Sequence, residues 1–130
     1  MSLQQKNIKF LIADDSALVR RMVTSSLEQM GFSEFDEACD GADALSKLDS
    51  SKYDLVILDW TMPKMTGYDV LRETRANKGT NQNTPVIMVT GEVAKKKIVD
   101  VLKLGISGYI MKPFDSAIFE KKVIEVLKKP

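Results

Sequence analysis

Apolar residues fall along this chain in two alternating textures. Short runs, IKFLIA (8–13), EFDEAC (34–39), LVIL (55–58), PVIMV (85–89) and GYIM (108–111), are separated by longer stretches of helical period. Three of the runs are nearly continuous in Val, Ile and Leu, as strands buried on both faces require, whereas EFDEAC alternates as an edge strand does. Between them, Val19, Met22, Val23, Leu27 and Met30 form one stripe that Gly31 can end. Ala44, Leu45 and Leu48 mark a second helix, and Val70, Leu71 and Thr74 a third. Ala94, Ile98, Val101 and Leu102 mark a fourth before Gly105, and Phe119, Val123, Val126 and Leu127 a fifth. Five βα units in strict alternation predict an α/β fold, a parallel sheet with helices on both faces.

Such a sheet binds ligands beyond the carboxyl ends of its strands, where the strand order reverses. The residues falling there are Asp14 and Asp15 after the first strand and Asp59, Trp60 and Thr61 after the third. Thr90 and Gly91 follow the fourth, and Lys112, Pro113 and Phe114 the fifth. Singly, each has a structural explanation: Asp15 or Ser16 as cap of the first helix, Thr90 as cap of the fourth, Lys112 as a solvated loop lysine. Together they place three carboxylates, a hydroxyl and an ammonium at one end of one sheet.

Composition narrows the chemistry. The 130 residues suit one domain with its own core. With 19 basic and 18 acidic side chains there is no overall field to draw in nucleic acid or an anionic membrane. The single cysteine, Cys39, precludes an internal disulfide and reads as a buried, inert thiol in a reducing compartment. Neither a signal peptide nor a run of the ~20 apolar residues that a membrane span needs is seen, so a cytoplasmic protein is expected. Histidine is absent, which excludes His-based triads, His metal clusters and a phosphohistidine carrier.

Two carboxylates ~4 Å apart repel by ~4 kcal/mol at an effective dielectric of ~20, so three in one crevice call for a cation. An all-oxygen donor set favours Mg²⁺, or Mn²⁺, over zinc. Magnesium commonly keeps several waters and shares phosphate oxygens, which points to a phosphate-bearing substrate. Lys112 and the Thr90 hydroxyl would then spread the charge of the phosphoryl group, and Asp59, a carboxylate of ordinary pKa already ionised at neutral pH, would be the nucleophile.

The segments IADDS, LDWTMPKMTGYDVL, VTGE and GYIMKPF, in that order, resemble the receiver domain of two-component response regulators, most closely the single-domain chemotaxis (CheY-like) type. The resemblance spans essentially the whole chain and implies a flavodoxin-like (βα)5 doubly wound sandwich of strand order 2-1-3-4-5. It further implies one receiver domain over residues 1–130 without an output domain. Asp59 would take a phosphoryl group from a sensor histidine kinase, with Asp14, Asp15, Asp59 and the Thr61 backbone carbonyl around Mg²⁺. Lys112 would contact the phosphoryl group, its bond to Pro113 would be cis, and Thr90 and Tyr109 would form the switch. The switched surface would bind a downstream protein such as the flagellar motor switch. The chain would act as a monomer, without nucleic acid or membrane, and catalyse only its own phosphorylation and dephosphorylation.

Thr61 stands where the best-known chemotaxis members carry Asn, and Ser16 where they carry Phe; by the resemblance, both positions, with Glu92, would bear on the dephosphorylation rate. Lys95, Lys96 and Lys97 on the fourth helix, with Lys121, Lys122, Lys128 and Lys129 on the fifth, form either a solvated face or a docking face for an acidic partner. One alternative is a receiver domain cut from a longer regulator. A second is a Mg²⁺-dependent aspartyl-phosphate phosphohydrolase, which wants an Asp where Thr61 stands. A third, a flavin module, is opposed by the acidic ADDS turn.

Overall fold

In a computed structural model, which describes residues 7–91 and 95–128, five strands and five helices alternate. They are β1 (Lys9–Ala13), α1 (Ala17–Gln29), β2 (Glu34–Ala38), α2 (Gly41–Ser50), β3 (Leu55–Asp59), α3 (Gly67–Ala76), β4 (Val86–Thr90), α4 (Lys95–Leu104), β5 (Gly108–Met111) and α5 (Ser116–Lys128). All strand pairings are parallel, in the order β2-β1-β3-β4-β5. The order reverses at β1, whose successor β2 lies on one side and β3 on the other.

The two-residue period of the strands divides the core. Leu11, Ala13, Val56, Leu58, Val86 and Met88 pack with Ala44, Leu48, Val70, Leu71 and Val101 on one face. Phe10, Ile12, Leu55, Ile57, Ile87 and Val89 pack with Val23, Leu27, Phe119, Val123 and Val126 on the other. Every residue of β3 and β4 is buried, while β2 at the edge is mostly exposed or half-buried, as its alternation predicts.

Side chains start the helices. Ser16 Oγ accepts from the Val19 N–H (3.2 Å), Asp40 from Asp43 (2.7 Å), Thr66 from Asp69 (3.1 Å) and Asp115 from Ile118 (2.9 Å). Gly31 and Gly105 follow α1 and α4 with φ of 98° and 87°, the left-handed conformation that a side chain disfavours.

Several expectations need correction. Of the two candidates for the first cap, Ser16 and not Asp15 fills the role. Leu102, assigned to the buried stripe of α4, is 59% exposed, because the helix turns Val101 inward. Cys39 is exposed rather than buried, since β2 ends at Ala38 and the chain leaves the sheet there. Lys122 is half-buried and paired with Glu125 (3.2 Å), so it is less available for docking than its neighbours. Glu92, Ala94 and Lys129, and the side chains of Lys95, Lys96 and Lys97, lie outside the described residues.

At the end of the sheet away from the acidic cluster, loop carbonyls are gathered by one side chain. Arg75 of α3 donates to the carbonyls of Gln82 and Thr84 (both 2.9 Å), Leu104 (3.2 Å) and Gly105 (2.8 Å). It thereby ties α3 to the segment entering β4 and to the turn between α4 and β5. Arg75→Ala is expected to lower stability by about 2–3 kcal/mol, because it strands several partly buried acceptors together; the shift in urea midpoint measures this.

Candidate functional site

β1 and β3 are neighbours, with Ala13 registered against Leu58, so Asp14 and Asp59 leave the sheet side by side. Both are buried, at 3% and 4% exposure. Asp14 is held on four sides. Its N–H donates to the Ala38 carbonyl (3.1 Å), its carbonyl accepts from Arg20 Nη1 (2.7 Å), its Oδ1 from the Ser16 N–H (2.9 Å), and its Oδ2 lies 2.9 Å from Lys112 Nζ. The same ammonium stands 3.3 Å from Asp59 Oδ1. Lys112 follows β5, two strands from β3, and its N–H donates to the carbonyl of Thr90 (2.8 Å). The lysine is thus an ion-pair partner, not a solvated loop residue.

Exposed Asp15 completes the cluster, in which Asp14, Asp15 and Asp59 each offer a carboxylate oxygen and all three lie within 4.8 Å of one another. Three hard oxygen donors that close fit a small divalent cation. Lys112 balances only one of the three charges.

The backbone around Asp59 is fixed as firmly. The Trp60 N–H donates to the Val89 carbonyl (2.8 Å), and the Gly67 N–H to the Trp60 carbonyl (2.7 Å). A Cβ on Gly67 would collide with the Asp59 carbonyl, so only glycine lets α3 begin this close to the strand end. The turn between them holds Lys64 at φ 72°, and its ammonium reaches Asp40 (3.3 Å).

Thr90 ends β4 and is buried, Tyr109 is half-buried in β5 opposite Met88, and Thr61 is exposed just after β3. The Lys112–Pro113 peptide bond is cis. Beside Lys112 an apolar groove of about 660 Å³ is lined by Leu18, Val19, Met22, Pro113 and Phe114. Trp60 stacks on Tyr68 with ring centres 6.0 Å apart.

The model of the response regulator receiver domain matches residues 10–124. The chain belongs to the response regulator receiver domain family. It is 37% identical over 128 residues to the chemotaxis protein CheY-3 of Vibrio cholerae, covering 98% of each chain. It is also 37% identical over 122 residues to the chemotaxis protein CheY of Pseudomonas aeruginosa, covering 94% of this chain and 98% of the relative. Among solved structures, CheY4 of Vibrio cholerae superposes with a TM-score of 0.84 at 32% identity, covering 93% of this chain and 99% of its own. A chain of the CheX-CheY-BeF3-Mg²⁺ complex from Borrelia burgdorferi gives 0.85 at 32% identity, covering 94% and 90%. The receiver is therefore CheY-like in fold and sequence. No helix among its described residues is long and apolar enough to cross a membrane.

Electrostatics set the resting state of this receiver site. Burial, and then the neighbouring Asp14 charge, push the Asp59 carboxyl up to about 6, with Lys112 only partly offsetting them. Burial works against the charge on Lys112, but its bonds to Asp14 and Asp59 outweigh that and hold its pKa above the usual lysine value.

Arg20, Gly67 and the αL turn at Lys64 were not legible as site components. The one available clue was position: Arg20 lies one turn beyond the Ser16 cap, on a helix that starts at the carboxyl end of β1.

The raised pKa of Asp59 makes stability depend on pH with a definite sign. From the ordinary value of 3.8 up to about 6, the folded protein keeps a proton on Asp59 that the unfolded chain releases. Stability in metal-free buffer should therefore fall as pH rises through that window, by up to about 3 kcal/mol, and remain lowered above it. Asp59→Asn should be the more stable protein at pH 7 and should lose this part of the pH dependence, as denaturant titrations at pH 4 and pH 7 will reveal.

Proposed function

We propose that this receiver domain is a phosphorylation-activated switch of a chemotaxis two-component system, with Asp59 as phosphoacceptor. The observation that carries the reading is one ammonium shared by two buried carboxylates, Lys112 between Asp14 and Asp59, with Asp15 in the same cluster. A carboxylate at the rim of a buried strand, flanked by a cation, is suited to attack an incoming phosphorus.

In the proposed transfer an Asp59 oxygen forms a bond to phosphorus as the phosphorus–nitrogen bond of the kinase's phosphohistidine breaks. The imidazole leaves with the bonding electron pair. Lys112 moves its hydrogen bonds from Asp59 to a phosphoryl oxygen, and the Thr90 hydroxyl donates to another. Mg²⁺, or Mn²⁺, held by Asp14, Asp15, Asp59 and the Thr61 carbonyl, would neutralise further phosphoryl oxygens and favour the ionised form of the Asp59 carboxyl. The Borrelia burgdorferi relative was solved together with Mg²⁺, BeF3 and CheX, which supports both a metal and a protein partner for this class of site. The chain is not an enzyme acting on outside substrates, on this reading, and works as a cytoplasmic monomer.

The phosphoryl group adds up to two negative charges and strong acceptors at the end of β4. Thr90 drawn toward it and Tyr109 turned inward constitute the switch, and the altered surface binds a downstream protein such as the flagellar motor switch. The apolar groove beside Lys112 is the face we assign to the kinase, because Lys112, which lines it, also contacts Asp59.

With Mg²⁺ and acetyl phosphate, intact mass spectrometry should show one added phosphoryl group on the wild type and none on Asp59→Asn. Continuous hydrolysis of an outside phosphate ester without a stable adduct would instead favour a phosphohydrolase. Thr61, exposed beside the acceptor, stands where water approaches the acyl phosphate. Thr61→Asn is expected to change the lifetime of phospho-Asp59 severalfold, read as decay of the phosphorylated mass after the donor is removed.

A further inference from the structure

We infer that Arg20 is a positioning residue for the cation site, acting through the peptide that joins Asp14 to Asp15. This rests on the reading above that the aspartate cluster holds Mg²⁺. β1 ends at Ala13, and the last backbone bond from the acidic segment to β2 is the Asp14 N–H to the Ala38 carbonyl. The Asp14 carbonyl has left the strand pairing, and it accepts from Arg20 Nη1 at 2.7 Å. That carbonyl lies in the same peptide plane as the Asp15 nitrogen, so whatever fixes it fixes the direction in which Asp15 leaves the chain.

The Asp14 side chain has its own restraints in Ser16 and Lys112, whereas Asp15 is exposed. Arg20 is held in turn, its Nε donating to Glu37 Oε1 of β2 at 3.0 Å, and its side chain is 17% exposed. A planar guanidinium can serve the carbonyl and the carboxylate together in a fixed geometry; a lysine ammonium has no such fork. Arg20 is thereby a brace from α1 that joins the ends of β1 and β2 and orients a ligand it does not touch.

The sign of the effect separates positioning from charge. Removing a cation beside an acidic cluster should tighten Mg²⁺ binding by Coulomb's law alone, whereas removing a brace should weaken it. Loss of outer partners of metal ligands typically costs about 10- to 100-fold in affinity.

Mg²⁺ titrations followed by Trp60 fluorescence and by calorimetry would compare wild type, Arg20→Gln, Arg20→Lys and Glu37→Gln. Arg20→Gln is expected to raise the Mg²⁺ dissociation constant about tenfold. Its acetyl phosphate reaction should return close to the wild-type rate at saturating Mg²⁺, a split that general loss of structure would not give. Glu37→Gln keeps an acceptor for Nε and should stay within about twofold. Unchanged or tighter binding by a folded Arg20→Gln overturns the assignment. If circular dichroism shows that variant unfolded, Arg20→Lys decides, its weakened affinity supporting the role and wild-type affinity overturning it. A wild type that binds no Mg²⁺ overturns the underlying reading instead.

Discussion

Lys112 reaching across β4 to Asp14 and Asp59 is the contact around which the site is arranged. It exists because the strand order reverses at β1, which forces the carboxyl ends of β1 and β3 together and leaves two buried acids with nowhere to diverge. Burial, and then the repulsion between them, raise the pKa of Asp59, while their attraction for the ammonium raises that of Lys112. One ammonium cannot neutralise three carboxylates, so the pocket is built short of positive charge. The phosphoacceptor role proposed for Asp59 would use that imbalance, since it leaves room for a cation that the fold itself does not supply.

Much of this was legible in the sequence because strand burial writes itself plainly. The aliphatic runs of β1, β3 and β4 each stop at a polar residue of the candidate site, Asp14, Asp59 and Thr90, and a side-chain period of two fixes which face each residue covers. Hydrophobic pattern was a poorer guide where an element is only partly covered. Leu102 continues the apolar period of α4 yet faces solvent, and Cys39 looked like core although β2 had already ended.

What stayed hidden was long-range polar contact, which leaves no periodic trace. Arg75 is one of several arginines in the chain, and nothing local marks it as the donor for carbonyls of two distant loop segments. Arg20 likewise reads as the polar face of an amphipathic helix. Gly67 resembles any glycine near a turn, and only coordinates reveal the Asp59 carbonyl occupying the space a Cβ would need. Backbone carbonyls released from regular structure must be satisfied by something, but the sequence does not say by what.

The packing of Gly67 against Asp59 has a consequence for recognition. With the Trp60 N–H bonded to β4 and the start of α3 pressed on the strand end, the backbone at Asp59 has little slack with which to meet an incoming group. On the proposed reading of Asp59 as acceptor, docking there is a one-sided adjustment in which the visiting protein supplies the movement. Discrimination among donors then becomes a question of which visitors can bring their reactive atom to a stationary target.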